Sequence, residues 1–303
     1  MPSLKLASWN LEWLIAPEQF KLLREHCVSP NDTRPRSERA IPCDVAYRLE
    51  RSGSDYAALA LYAKQLNADV IALQEVDGAS AARLIFPGYD FCFTARAHPQ
   101  NNGFAVRRGI PHRCERDLLG ISAGDTLRRG AIMTLYPGES RETTLMSVHL
   151  KSGCARGALH ATRVKACREL AGQLPALAKW IRAERAAHHR FALVGDLNRE
   201  LAAEKVARSG SDTVAFSAAL GTAPEAPALM YDASDGASFR NCFPGQMHTA
   251  FIDFILLDER LALARIPGSF EHLTYRVSDA HRRKLSDHCP VAVRLEMGGP
   301  AFD

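Results

Sequence analysis

Apolar residues fall along the chain in short runs, and most of those runs stop on a polar side chain. The segments LKLASW, DVIALQE, GFAVRR, AIMTLY, TTLMSVH, RFALVG, FIDFILL and PVAVRLE are rich in β-branched and aliphatic residues and bounded by turn formers, so each predicts a strand. Helical periodicity is rarer. Ser54 predicts the cap of a helix with Tyr56, Leu59, Ala63 and Leu66 on one face. Val164, Cys167, Leu170, Leu174, Leu177 and Ile181 predict a second helix, which Pro175 is expected to kink or interrupt. Residues 17–52, rich in charge and proline, predict a surface excursion, and residues 202–248 a loop region rich in Gly, Ala, Ser and Asp. No repeat or linker divides the chain, so one domain over 1–303 is expected. Many strands and few helices, in hairpin-like order, predict an α+β fold of two sheets packed face to face with helices outside.

Composition sets limits. The 303 residues are 47% hydrophobic and 24% charged, an ordinary globular mixture. The 38 basic and 34 acidic residues give a net charge of +4, which permits a polyanionic substrate without requiring one. No apolar run reaches the ~18 residues of a membrane span, and MPSLKLASWNLEWL lacks the regions of a signal peptide as written. The eight cysteines include no CxxC and no zinc-site spacing. Two readings stand: buried free thiols, or bridges 27–43, 92–114, 154–167 and 242–289 of the kind found in exported proteins. Bridges favour a periplasmic or extracellular location, free thiols a cytoplasmic one.

The chemistry lies where the runs stop. LKLASWN ends on Asn10, with Glu12 two residues on; DVIALQE ends on Glu75, TTLMSVH on His149, and RFALVGDLN on Asp196 and Asn198. Loops at strand ends commonly build sites on a rigid scaffold. Asp253 sits inside FIDFILL, where an ionised carboxylate needs a partner, and an imidazole suits it. Asp287 and His288 precede a strand, so they reach the same site only if that strand runs antiparallel to its neighbours. Asn10, Glu75 and Asp287 are hard oxygen donors suited to Mg²⁺ or Mn²⁺. His149 and His288 titrate near neutrality, Asp196 can take a proton from water, and Asn198 can orient water or phosphate. Taken singly, each has a plainer reading as a turn residue, a strand-end hydrogen bonder or a satisfied core histidine. Their ordered joint occurrence favours metal-assisted attack of water on a phosphoester.

The pieces SWNLE, ALQEVD, SVHLKSG, GDLN, FIDFILL and LSDHCP, in that order from residue 8 to 290, resemble the endonuclease/exonuclease/phosphatase superfamily. The resemblance implies a four-layer α/β/β/α sandwich of two mixed, mostly antiparallel sheets with a divalent metal at its mouth. It implies Glu75 as the main metal ligand with Asn10 close by, and Mg²⁺ as the metal, with Mn²⁺ as an alternative and Ca²⁺ as a structural ion. Asp196 and Asn198 would position and activate water, His288 with Asp253 would be the main catalytic dyad, His149 a second phosphate-facing imidazole, and Asp287 a site carboxylate. Two departures concern the deoxyribonuclease branch. Asp77 stands where that branch has a DNA-touching Arg, and Gln100, Asn101 and Asn102 occupy the region of the acid that supports its first His, so His149 is expected to lack a carboxylate partner.

The expected substrate is nucleic acid, on the strength of Arg107, Arg108, Arg128, Arg129, Lys151, Arg156, Arg163 and Lys165 near the site loops. Lys151, two residues after His149, is the favoured phosphate contact. A sphingomyelinase-like phospholipid phosphodiesterase calls for an exposed aromatic hairpin, and YDFCF and FRNCF read as core or near-core pieces instead. An inositol-phosphatase-like phosphomonoesterase and an inactive binding module are the remaining alternatives, and a monomer is expected.

Overall fold

In the computed structural model, which describes residues 3–29, 39–122, 128–205, 215–222, 230–243, 246 and 248–298, the apolar runs pair into two mixed six-stranded sheets. The first has the spatial order β11 (Glu271–His272), β12 (Val291–Glu296), β1 (Ser3–Leu14), β2 (Val70–Val76), β4 (Asn101–Arg107), β3 (Tyr89–Phe93). The second runs β5 (His112–Cys114), β6 (Ala131–Leu135), β7 (Thr143–His149), β8 (Arg190–Asp196), β10 (Asp253–Leu257), β9 (Tyr231–Asp232). Among these neighbours β1–β2 and β7–β8 are parallel and the rest antiparallel. The helices are α1 (Pro17–Glu25), α2 (Cys43–Arg48), α3 (Gly53–Leu66), α4 (Gly78–Arg83), α5 (Lys165–Ala186), α6 (Leu201–Lys205), α7 (Ala215–Leu220), α8 (Glu259–Leu263) and α9 (Val277–Arg282).

The central strands are mostly apolar because both of their faces are covered, and the buried exceptions Ser8, Gln74 and Ser147 hydrogen-bond to one another. Along β1, Leu4 and Leu6 enter the core between the sheets, while Ala7, Trp9 and Leu11 pack under α3. In β2, Val70 and Ala72 face the sheet interface and Ile71 and Leu73 the helix side. Helix α5 covers the second sheet with Cys167, Leu170, Leu174, Leu177 and Ile181, completing the α/β/β/α order. It is not interrupted at Pro175, which lies inside one helix. The lost hydrogen bond and ring clash cost about 3 kcal/mol, and burial of Leu174 and Leu177 beside it contributes roughly 1.5–3 kcal/mol each. Val164 is not on the buried face; it is the exposed N-cap. The α3 cap also moves. Ser52, two residues before Ser54, closes a capping box in which the Asp55 carboxylate accepts the Ser52 N–H at 2.8 Å.

The segment 17–52 is more than a surface excursion. Phe20 of α1, Val45 and Ala46 of α2, and Ile15, Ile41 and Leu49 form a small core of their own. The region 202–248 holds α6, α7 and β9; its residues 206–214, 223–229, 244, 245 and 247 lie outside the described ones. All four expected disulfides form. Cys27–Cys43 closes the 17–52 segment, and Cys92–Cys114 joins edge strand β3 of one sheet to edge strand β5 of the other. Cys154–Cys167 ties the loop after β7 to α5, and Cys242–Cys289 ties the segment before β10 to the residue after His288. No helix among the described residues is long and apolar enough to cross a membrane.

One backbone position sets the spacing between β7 and β8. Gly195 has φ 145°, and a Cβ there would collide with the Val148 carbonyl oxygen. A residue without a side chain lets the strands close, with His149 directly opposite Asp196.

Candidate active site

The two parallel pairs bring the carboxyl ends of β1, β2, β7 and β8 to one end of the sandwich. Antiparallel β10 starts there, with Asp253 opposite Asp196. Antiparallel β12 does the same for the preceding Asp287 and His288, as the sequence required. Strand β1 does not stop at Asn10. It continues to Leu14 through an irregularity in which Glu12 and Trp13 take φ of 43° and 51°. Buried Arg51 clamps this bulge, donating to the carbonyls of Leu11 and Trp13 on one side and of Lys284 and Leu285 on the other. Nothing in the sequence pattern marked Arg51.

Asp196 is the centre of the cluster and is 1% exposed. Its Oδ1 accepts the Asn198 N–H at 2.8 Å and its Oδ2 accepts Asn10 Nδ2–H at 3.1 Å. The same Oδ2 lies 3.4 Å from His149 Nε2 and 3.7 Å from His288 Nε2. Burial, opposed by the His288 charge and reinforced by Asp253, pushes the Asp196 carboxyl up to about 7. Asn198, at φ 52°, uses its side-chain amide to hold the Leu150 carbonyl at 3.0 Å.

His288 Nδ1 meets Asp253 Oδ2 at 2.7 Å, so the buried strand acid has its imidazole. Burial alone disfavours the imidazolium, but Asp253, Asp196 and Asp287 outweigh it and hold His288 well above the usual range. Its backbone is fixed as well. The Tyr275 hydroxyl donates to the His288 carbonyl at 2.5 Å and accepts Trp9 Nε1–H at 3.0 Å. The Ser286 hydroxyl accepts the His288 N–H and donates to the Asn10 carbonyl.

His149 behaves oppositely. Burial, with Arg128 and His288 nearby, holds it well below the usual range, so it is neutral at pH 7. It is not short of carboxylates, contrary to expectation: Nε2 lies 3.6 Å from Glu75 Oε1 as well as beside Asp196. Gln100, from the region where the deoxyribonuclease branch has its acid, donates to Glu75.

Donor chemistry indicates where a hard cation fits. Burial first, and Asp287 second, raise the Glu75 carboxyl, a repulsion that a divalent cation between the two would reverse. Asp287 is half exposed at the mouth. Asn10 turns its amide nitrogen, not its oxygen, to Glu75, because Oδ1 accepts the Glu12 N–H at 3.0 Å. Its Nδ2 therefore bridges two carboxylates, Glu75 and Asp196. Glu12 is a further carboxylate here, bonded to Arg48 and to the Asp287 N–H. Asp196, Asp253 and His288 also bring ligand atoms within 4.8 Å of one another, with one His288 nitrogen already committed to Asp253. A second such group, Cys242, His272 and Cys289, has both sulfurs in a disulfide, which withdraws the thiolates a metal needs.

The cations sort differently from expectation. Arg128 is half-buried in the site, donates to the His149 and Leu150 carbonyls, and feels the charges of Glu75 and Asp196. Lys151 points its ammonium to Glu169, 3.7 Å away on α5. Arg107 and Arg108 lie at the far end of the sandwich with Asp69 and Asp90, because β4 runs antiparallel to β2. Arg129, Arg156 and Lys165 pair with Asp117, Glu200 and Glu169. Asp77 bonds Arg39 at 2.8 Å, so a guanidinium from the 17–52 segment stands beside it in space.

His98 carries a pH prediction. Burial, helped by Arg96, Arg128 and Arg39, lowers it to about 4, and its Nδ1 accepts the Gln100 N–H at 3.0 Å. Between its ordinary value of 6.5 and about 4 the unfolded chain binds the proton and the folded chain does not. Its contribution therefore weakens stability as pH falls through that window, by about 2–3 kcal/mol at pH 4.5. His98→Asn, which keeps the acceptor, is expected to lose less stability than wild type between pH 7.5 and 4.5 in urea titrations. Equal losses refute the assignment.

Comparison with known proteins follows the same lines. No curated protein sequence matches at a significant level. Solved structures do. TDP2 of D. rerio, humanized by 14 mutations, is 17% identical over 96% of this chain and 98% of that one, with a TM-score of 0.59. A Bacteroides thetaiotaomicron endonuclease/exonuclease/phosphatase family protein is 15% identical over 97% of each chain, TM-score 0.58. The human Nocturnin catalytic domain with bound sulfate is 15% identical over 97% of this chain and 94% of that one, TM-score 0.53. At such identities the likeness establishes the fold. The sequence profile of the Endonuclease/Exonuclease/phosphatase family matches residues 7–288, and the chain therefore belongs to that family of metal-dependent phosphoester hydrolases.

Proposed function

We propose that the chain is a divalent-metal-dependent phosphodiesterase that hydrolyses nucleic acid. The observation that carries the chemistry is the meeting of Glu75, Asp196, His149 and the Asp253–His288 pair around one point, with half-buried Arg128 beside them. Glu75 and Asp287, with Asn10 alongside, would hold Mg²⁺ or Mn²⁺, whose contribution is to stabilise charge on the phosphoryl oxygens. Asp196, raised to about 7, accepts the proton of the attacking water at neutral pH. Asn198 fixes that carboxylate through its backbone N–H. His288, held cationic by Asp253, donates to a phosphoryl or leaving oxygen. His149, neutral, offers Nε2 as a hydrogen-bonding group.

Arg128 in the site and Arg39, Arg129 and Arg156 about it support a polyanionic substrate. The aromatic segments offer no support for membrane insertion: Phe91 and Phe93 stack on each other, partly buried, on β3, and Phe239 packs on Phe251. The test is a substrate panel of plasmid DNA, single-stranded DNA, RNA, sphingomyelin and inositol phosphates, each with Mg²⁺, Mn²⁺ or EDTA. Cleavage of nucleic acid that EDTA abolishes and rising salt weakens is expected. Cleavage of lipid or inositol phosphate alone overturns the substrate, and EDTA-resistant cleavage overturns the metal.

A further inference from the structure

The Cys242–Cys289 bridge has an imidazole beside it. Nε2 of His272, on β11, lies 3.9 Å from Cys242 Sγ. Among the described residues this is the one cluster in which cysteine sulfurs meet a third metal-binding side chain, with all ligand atoms within 4.8 Å of one another. Around a tetrahedral zinc ion, bonds of about 2.3 Å to sulfur and about 2.0–2.1 Å to nitrogen set neighbouring ligand atoms roughly 3.5–3.8 Å apart. The spacing of Cys242 and His272 is already close to that. Cutting the S–S bond lets the two sulfurs part to it, and the thiolates so formed are soft donors that select zinc over magnesium. The ring is prepared to take part. Burial lowers His272 below its ordinary value, so it is neutral, the form that ligates. Its Nδ1 has no hydrogen-bond partner, so nothing on that side fixes the ring proton, and Nε2 can turn its lone pair to an ion. Phe239 stacks on the ring at 5.8 Å and Phe251 meets it edge-on at 5.1 Å, which holds the imidazole in place and gives the ion an apolar surround.

We infer that in the reduced chain Cys242, Cys289 and His272 form a binding site for one thiophilic divalent cation, Zn²⁺, with water in the fourth position. Among the described residues no further His, Cys, Asp or Glu belongs to the group, which leaves that position to solvent. The step balances with a dithiol as the reductant. The dithiol gives two electrons and two protons to the S–S bond and closes its own disulfide. Zn²⁺ then binds the two sulfurs as thiolates and releases the two protons. Two thiolates cancel the charge of the ion, so a buried site is left neutral. Its soft donors set it apart from the hard-oxygen site at Glu75 and Asp287, and it is independent of the substrate. The consequence is mechanical. Cys289 follows His288, and Cys242 belongs to the segment before β10, so the ion joins the same two pieces of chain that the bridge joins. An oxidising compartment supplies the cross-link as a disulfide, a reducing one as a metal site.

Cobalt tests this, because Co²⁺ bound to thiolate has a near-ultraviolet charge-transfer band that oxygen ligands alone do not give. The whole chain is reduced with a dithiol, freed of reductant without oxygen, and titrated with Co²⁺ and then Zn²⁺, with the oxidised chain as the blank. One equivalent of thiolate-bound Co²⁺, displaced by Zn²⁺, is expected. Cys242→Ser and Cys289→Ser in one chain are expected to abolish the band. Cys27→Ser and Cys43→Ser in one chain, which remove a different bridge, are expected to leave it. His272→Phe keeps the ring packing and is expected to weaken Co²⁺ binding at least about tenfold, since even a partner outside the ligand shell is worth ~10–100-fold. A reduced wild-type chain without the band overturns the inference. So does a band that survives loss of Cys242 and Cys289, which is what scattered thiols of an unfolded reduced chain would give. A band lost with Cys27 and Cys43, or a His272→Phe affinity within about tenfold of wild type, overturns it as well.

Discussion

His288→Ala is expected to lower kcat for phosphoester cleavage by about 10²–10⁴-fold with little change in KM, the range lost when a positioned acid or base is removed. The expectation rests on how much of the structure serves this one ring. Asp253 holds Nδ1 at 2.7 Å, Tyr275 and Ser286 hold the backbone carbonyl and N–H, and Trp9 holds Tyr275. Three carboxylates keep the ring protonated despite its burial. The loss belongs in kcat because a fixed cation aimed at an oxygen that gains charge acts most strongly in the transition state. Circular dichroism should show an unchanged fold, since the aromatic contacts below belong to Trp9 and Tyr275. Turnover within tenfold of wild type would remove His288 from the chemistry.

Glu204→Ala is expected to cost about 3–5 kcal/mol of stability, the usual result of stripping a buried ion of its partner. Arg199 and Glu204 side chains are 1% and 2% exposed and meet at 2.6 Å. The carboxylate also accepts the Ser217 N–H of α7 at 2.8 Å, and the guanidinium binds the carbonyls of Cys154 and Gly157. Removing Glu204 takes from the buried guanidinium the carboxylate it meets at 2.6 Å. The double variant Arg199→Met, Glu204→Leu removes both charges and is expected to recover much of the loss. Urea midpoints read both. A single-variant loss below about 1 kcal/mol would show that solvent reaches the pair.

The two-sheet fold was readable because its central strands are apolar on both faces, and a run such as VIAL or FALV has few other homes in a chain of this composition. The candidate cluster was readable because its groups sit at strand ends or against them, so Asn10, Glu75, His149, Asp196 and Asp253 could be named before any contact was known. What sequence concealed depends on direction and on long-range pairing. Arg107 follows a strand as His149 does, yet its strand runs the other way and carries it to the far end. Arg51 and Tyr275 act through backbone carbonyls, which leave no residue-type signature. Lys151 was favoured over Arg128 by closeness to His149 in sequence, whereas Arg128 reaches the same loop from the start of β6. Pro175 does not end its helix because the packing on either side outweighs the local rule.

Gly195 limits how this enzyme can be re-engineered. Any side chain there drives β8 away from Val148, and the shared register means that His149 and Asp196 can only shift together. Their spacing behaves as a fixed gauge. The segments around Arg39 and Phe239, each tied in by its own disulfide, carry neither residue of that gauge. A library seeking new substrates gains most by randomising those segments and leaving the GDLN segment untouched.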